Sequence, residues 1–249
     1  MISILLSNDD GAYAPGIEVL ASELQLNHQV TVVAPDKNRS GSSSALTLDR
    51  PIRCRQLENG FYAVSGTPCD CVHLGSHRIM QQKPDIVIAG INRGANLGDD
   101  VLYSGTVAAA MEGRSMGFPA IAISLASHQC THYLTAAKVM SRLLERLGEF
   151  SLESNIILNV NVPDLPVEEL QGYRLTRLGC RHRADTIVPA EDPRGKTVYW
   201  LGPASEPQDI GEGTDFDAVA RGFVSITPLV VDLTAYESFN RVKDWMSTL

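Results

Sequence analysis

The chain has 249 residues, 44% of them hydrophobic, with 21 Lys plus Arg against 29 Asp plus Glu and a formal net charge of −8. That length suits one large α/β domain, or one domain with an appendage, and the apolar share is enough for a sizeable core. The acidic balance excludes a general nucleic-acid-binding surface, which would be basic, but leaves room for a local site that takes a small anion.

Ile2 to Leu6 is a short apolar run that ends in Ser7-Asn8-Asp9-Asp10-Gly11, a strand closed by turn chemistry. Ile17, Leu20, Ala21 and Leu24 then fall at helical spacing. Val30 to Val33 is a second strand, closed by Ala34-Pro35-Asp36 and followed by a Ser-rich loop, Ser40 to Ser44. Pro51 to Val64 predicts a hairpin turning at Asn59-Gly60. Thr67-Pro68 starts a helix that runs to about Gln81. Asp85 to Ala89 is a buried strand, and Asn92 to Tyr103 a long polar loop. Ser104-Gly105-Thr106 opens an Ala-rich helix, Pro119 to Ser124 is a strand, and Tyr133, Ala136, Met140, Leu143, Leu144 and Leu147 mark an amphipathic helix. Ile156 to Val162 is a further strand.

Strands alternating with helices predict a Rossmann-like, doubly wound, mostly parallel sheet covered on both faces. The rhythm stops near Pro163. Tyr173 to Leu233 predicts short β-like stretches without a clear helix, and Thr234 to Leu249 a closing helix capped by Thr234 with Glu237 at its third position. The expected organisation is a single α/β domain, with a core over about 1–165 and a β-rich extension with its terminal helix over about 166–249.

Five scattered cysteines, at 54, 69, 71, 130 and 180, do not make a disulfide framework. No basic leader precedes a long apolar run, and no segment approaches transmembrane length. A reducing, cytoplasmic setting with no membrane partner is expected.

In an open α/β sheet, ligands bind beyond the carboxyl ends of the strands. Asn8 to Gly11, Asn38 to Gly41 and Ile91 to Asn96 all leave that edge. They carry two carboxylates, a hydroxyl and a carboxamide, hard oxygen donors suited to Mg²⁺ or Mn²⁺ more than to zinc. A cation also explains the adjacent Asp9 and Asp10, whose charges repel one another when unpaired. Asp-Asp-Gly is equally an ordinary turn, in which Asn8 or Asp9 caps the next helix. Ser104-Gly105-Thr106 presents a helix N-terminus, which favours an anion; with a metal on the same edge, phosphate is the natural joint ligand.

Cys69, His73 and His77 recur every four residues, with Cys71 close by, but the general-base Glu of a zinc-protease motif is missing. Partly buried thiols and imidazoles describe that cluster better than zinc. The basic stretch Arg177 to Asp185 has the character of a solvated loop, with a face toward substrate or toward a partner subunit as the alternatives. There is no Walker A lysine motif, no Gly-x-Gly-x-x-Gly after the first strand and no Gly-x-Ser-x-Gly elbow.

Along nearly its whole length the chain resembles the stationary-phase survival protein SurE family, in the ordered motifs NDDG, APDKNRSG, SGTPCDCV, GINRGANLGDDVLYSGTVAAAMEG, NVNVP and TDFDAVARGFVSITPL. Two small departures are Cys69, where the family often has a residue such as Ala, and Ala89, where Ser is frequent. The resemblance implies a metal-dependent 5'-nucleotidase, a phosphatase acting on nucleoside monophosphates, with action on 3'-nucleotides and short polyphosphate as extensions. It implies one divalent ion per subunit, Mg or Mn, held by Asp9, Asp10, Ser40 and Asn92. It implies a phosphate pocket of Asn96, Ser104, Gly105 and Thr106. It also implies homodimers or homotetramers that exchange C-terminal segments.

The chemistry expected is in-line attack of water on phosphorus, with Asp9 or Asp10 as base, or alternatively a phosphoaspartyl intermediate. Two other classes compete. A metal-dependent nucleotide-sugar transferase would need a diphosphate donor and an acceptor. A receiver-like regulator would be about half this length and would need a phosphoacceptor Asp where this chain offers Asn92.

Overall fold

The computed structural model describes residues 1–147, 155–181, 187–202 and 207–248. β1 (Ser3–Ser7) leads to α1 (Pro15–Leu24) and β2 (Gln29–Pro35). β3 (Cys54–Gln56) and β4 (Tyr62–Val64) form the expected hairpin. α2 (Pro68–Leu74) begins in a capping box, in which Thr67 and Asp70 each bond the other's backbone N–H. β5 (Ile86–Arg93), α3 (Gly105–Ser115), β6 (Ala120–Ala126), α4 (Tyr133–Leu147) and β7 (Ile157–Pro163) complete the alternating part. After it come β8 (Tyr173–Leu175), β9 (Ile187–Glu191), β10 (Thr197–Leu201), α5 (Asp215–Ala220), β11 (Val224–Leu229) and α6 (Phe239–Met246).

The described residues form a nine-stranded sheet in the order β3-β4-β2-β1-β5-β6-β7-β11-β8, and a separate hairpin of β9 and β10. β1 pairs in parallel with β2 on one side and with β5 on the other. The chain therefore reverses its direction of travel between β1 and β5, and the loops after these strands flank the crevice where such sheets bind ligands. Alternation along the strands divides the core. Ile4, Leu6 and Ile88 meet α1 and α4 on one face, through Ile17, Leu20 and Met140. Leu5, Val33 and Val87 meet α2 and α3 on the other, through Val72, Val107 and Ala109. Each fully buried Leu or Ile contributes on the order of 1.5–3 kcal/mol, which makes the sheet a stiff platform for its loops.

The structure corrects the expectations in five places. The helix begun at Pro68 changes to a π-helical turn, Gly75–Ile79, and ends there instead of near Gln81. β5 runs on through the first two residues of the expected loop, and its register against β6 shifts between Ala89 and Asn92. A 3-10 turn, Gly98–Leu102, occupies the rest of that loop. α5 is a helix where none was expected: it is one and a half turns long, too short to display a 3.6-residue period, and starts from the Thr214 side chain accepting the Asp217 N–H. α6 starts at Phe239, because the Thr234 N–H is tied to Asp232 at 2.9 Å and Thr234 caps no helix.

Past Pro163 the chain returns to the main sheet. β11 adds to β7 antiparallel, and β8 adds to β11. The segments outside that sheet are the β9–β10 hairpin and α6, and they carry exposed Tyr199, Trp200, Phe239 and Trp245.

Candidate active site

Asp9 lies two residues past the end of β1 and is 4% exposed, so its carboxylate is anchored at the edge of the platform. Asn8 does not cap α1. Its side chain donates to the Gly11 carbonyl at 3.0 Å and accepts the Gly11 N–H at 3.1 Å, closing the turn on itself. α1 instead starts from Ala14 with Pro15 in its first turn and no side-chain cap.

Asp9, Ser40, Asn92, Asn96 and Ser104 line one cavity of about 340 Å³ at the crevice edge. Asp10 faces the neighbouring hollow, with Arg93 on both walls. Asp10 accepts the Arg93 backbone N–H at 2.9 Å and, weakly, the Asn38 amide at 3.4 Å. The Asn38 side-chain Oδ1 in turn accepts the Ser40 N–H at 2.8 Å, and the Arg39 N–H donates to the Asp9 backbone carbonyl at 2.7 Å. The three loops read from the sequence are hydrogen-bonded to one another around the acidic pair.

Gly105 and Thr106 stand against the first acid. The Thr106 hydroxyl donates to Asp9 Oδ1, and the Gly105 and Thr106 backbone N–H groups also hold that carboxylate. A Cβ on Gly105 would lie 2.7 Å from the Asp9 Cβ, so glycine is required for the helix end to come this close. The anion seated against these two residues is Asp9 itself. Ser104 is the member of the turn that lines the cavity, while its oxygen caps α3 by accepting the Val107 N–H at 3.0 Å.

Burial dominates the electrostatics. It pushes the Asp9 carboxyl up despite the bonds from Thr106 and Gly105. Asp10 is pushed up to about 6 by burial, with the Asp9 charge adding to it and the Arg93 N–H opposing it. Two carboxylates held in a site that disfavours their charge, beside a hydroxyl and a carboxamide, are what a hard divalent cation would relieve. Among the described residues no three His, Cys, Asp or Glu side chains converge as a metal-holding group, so the fit rests on this mixed oxygen set. At the other cluster, the Cys69 thiol is buried against the Ala108 carbonyl and pushed up to about 12, and His73 pairs with Glu112 at 2.6 Å.

Asn96 is held by a buried polar set that the sequence reading did not assign to the site. Its N–H donates to Asn161 at 2.8 Å and its Nδ2 to the Ser124 hydroxyl at 2.7 Å. Its carbonyl accepts from Asn159 at 2.8 Å and from Asn161 at 3.0 Å. Ser124, Asn159 and Asn161 are fully buried on β6 and β7. The signal was present in NVNVP: polar residues two apart in an otherwise apolar strand share one face and need partners.

A second residue not assigned to the site from the sequence is Arg181, which lines the same cavity as Asp9 and Asn96. Residues 182–185 of that basic stretch lie outside the described residues.

Fold and site together define a doubly wound α/β protein with a cluster of hard oxygen donors at its switch crevice. The chain matches the family model described as Survival protein SurE over residues 4–185. It is 54% identical over 246 residues to the 5'-nucleotidase SurE of Pseudoalteromonas atlantica, covering 99% of both chains. It is 57% identical over 248 residues to the 5'/3'-nucleotidase SurE of Photorhabdus laumondii, covering 99% of this chain and 97% of that one. Its structure is similar to the crystal structure of the SurE protein from Aquifex aeolicus, with a TM-score of 0.87, 42% identity and coverage of 98% and 99% of the two chains. The chain belongs to the SurE family.

Proposed function

We propose that this protein is a divalent-metal-dependent phosphomonoesterase that hydrolyses nucleoside monophosphates, a 5'-nucleotidase whose range extends to 3'-nucleotides and short polyphosphate. Its chief support is the meeting of Asp9, Ser40, Asn92, Asn96 and Ser104 around one cavity, in a chain whose relatives carry nucleotidase names. Asp9, Asp10, Ser40 and Asn92 would hold one Mg²⁺ or Mn²⁺, which when bound polarises a phosphoryl oxygen and acidifies water.

The remaining work falls to the chain. Asn96 and Ser104 offer polar atoms to the phosphoryl oxygens, where charge grows in the transition state. Attack of water forms one P–O bond as the bond to the ribose oxygen breaks; the water proton passes to a carboxylate, and the leaving ribose oxygen takes a proton from solvent to become the hydroxyl. Asp10 is the better acceptor. Its Oδ1 has only the 3.4 Å contact from Asn38, whereas Asp9 is engaged by Thr106 and Gly105. A phosphoaspartyl adduct trapped on either acid would replace this route.

The exposed aromatic residues of the β9–β10 hairpin and of α6 support a homodimer or homotetramer in which these segments are exchanged between subunits. Among the described residues no helix is long and apolar enough to cross a membrane, which agrees with action on a small dissolved substrate in the cytoplasm.

The test is phosphate release from a panel of nucleoside 5'- and 3'-monophosphates, with and without Mg²⁺ or Mn²⁺, for the wild type and Asp9→Asn. Metal-dependent release that is lost in the variant supports the proposal. A folded, metal-loaded wild type that releases no phosphate sinks it.

A further inference from the structure

Arg181 reaches the catalytic cavity from a segment remote in sequence from every loop of the acidic site. Two clamps bring it there. Asp215, fully buried at the start of α5, accepts N–H groups from Gly98 and Gly179, each at 2.8 Å, and so joins the 3-10 turn beside the cavity to the segment that carries Arg181. Asp99 then accepts the Arg181 N–H itself at 3.1 Å. The approach is close enough that a Cβ on Gly179 would lie 2.4 Å from the Asp209 carbonyl and 2.5 Å from the Phe216 ring.

The side chain is also set. Its guanidinium carbon stands 5.2 Å from the centre of the Phe216 ring, and Nη1 lies 3.6 Å from an Asp100 oxygen. That ion pair is long for a bidentate contact and leaves donors over. The buried Nε–H has no hydrogen-bond partner among the described residues. A guanidinium N–H buried without an acceptor in the chain is a donor available to an oxygen brought by a ligand. The other arginine on this cavity, Arg93, directs its Nε–H to the His128 carbonyl at 3.3 Å.

We infer that Arg181 is a catalytic residue that binds the phosphoryl group, its free donors taking phosphoryl oxygens in the cavity it lines together with Asp9 and Ser104. The inference rests on the phosphomonoesterase reading for its reaction and on cavity geometry for its ligand. Arginine matches phosphate as a planar fork of donors, which a lysine reproduces only as a point charge. Because the donors meet the group that gains charge, the contact strengthens in the transition state.

The test compares wild type with Arg181→Met, Arg181→Lys and Arg177→Met in saturating Mg²⁺. Arg177, in the same segment, pairs with Asp209 at 2.6 Å, does not line the cavity, and reports any displacement of that segment. Three quantities are read: binding of inorganic phosphate by isothermal titration, and kcat/KM for a nucleoside monophosphate and for p-nitrophenyl phosphate. Arg181→Met is expected to weaken phosphate binding and to lower both kcat/KM values by a common factor of about 10 to 100, the loss typical of one charge-assisted contact. Arg181→Lys should recover part of it, and Arg177→Met should bind phosphate as wild type does.

A loss confined to the nucleotide would place Arg181 on the nucleoside and overturn the inference. An equal loss in Arg177→Met would reduce Arg181 to a structural role, and no loss in Arg181→Met would remove it from the site. If wild type cleaves neither ester yet phosphate binding still depends on Arg181, the enzymatic reading fails while the phosphate contact stands.

Discussion

The Arg93 backbone N–H donates to the Asp10 carboxylate at 2.9 Å across a sequence separation of 83 residues. This bond spans the point where the sheet reverses its order, from the turn after β1 to the end of β5. It fixes the second acid of the pair on backbone, so Asp10 is set by the geometry of two strands and not by a mobile side chain.

Removing that acid separates charge from fold. Asp10→Asn should lower nucleotidase activity by about two to three orders of magnitude, the scale found when one group that stabilises the transition state is lost. The metal-free variant should melt no lower than the metal-free wild type, because a carboxylate disfavoured by burial has gone. The melting-temperature increase that Mg²⁺ or Mn²⁺ produces in wild type should shrink or vanish. Calorimetry with and without metal reads all of this, and a full metal response in the variant would exclude Asp10 from the metal site.

The pH dependence has two opposite signs. Asp10 holds its proton to about pH 6 in the folded protein, against 3.8 for an ordinary Asp. Its contribution to metal-free stability is therefore complete below about pH 4 and is lost as pH rises through about 6. Metal binding needs the ionised carboxylate, so metal affinity should climb across the same interval and level off above it. Denaturation of the metal-free protein and metal titration, both from pH 4 to 7.5, check the two trends. Parallel trends would contradict this account of Asp10.

Thr106 is predicted to act through Asp9. Thr106→Val keeps the volume but removes the hydroxyl that donates to the carboxylate. The Asp9 carboxyl should rise further, and metal affinity at pH 7 should fall by about tenfold, the scale seen when a partner of a metal ligand is lost. Thr106→Ser should retain most of the affinity. Metal titration of the two variants decides between a role at Asp9 and direct contact with phosphate, which would leave metal affinity unchanged in both.

The buried asparagines make a separate prediction. Ser124→Ala leaves the Asn96 Nδ2 group, now bonded at 2.7 Å, without its partner, and should cost about 1–3 kcal/mol of stability. Asn161→Ala frees the Asn96 backbone N–H and carbonyl from Asn161 and should reduce kcat more than it raises KM, because Asn159 and Ser124 are then the members of the buried set that still hold Asn96. Urea denaturation and steady-state kinetics measure the two effects. Unchanged kcat in a folded Asn161→Ala would remove Asn96 from the transition state.

Both tryptophans of the chain, Trp200 and Trp245, lie exposed on the hairpin and on α6. If these segments are exchanged between subunits, intrinsic fluorescence reports on assembly alone. Dilution to monomer should shift the emission to the red with no change in the circular dichroism of the core. Emission independent of concentration across an oligomer–monomer transition seen by light scattering would place the interface elsewhere.

The alternating apolar strands, the helical spacing of Ile17, Leu20 and Leu24, and the polar loops at Asn8, Asn38 and Asn92 were legible in the sequence, because each is written in a local period or a turn preference. So was the chemical kind of the site, since adjacent acids, hydroxyl and carboxamide keep their donor character wherever the fold puts them. Only tertiary structure decided which groups meet. It turned Gly105 and Thr106 onto Asp9, placed Asn159 and Asn161 beneath Asn96, returned β11 to the sheet, and brought Arg181 to the cavity through Asp215. The reason is physical: these contacts join residues dozens of positions apart, and they form because buried polar groups must find partners among whatever the packed sheet sets beside them.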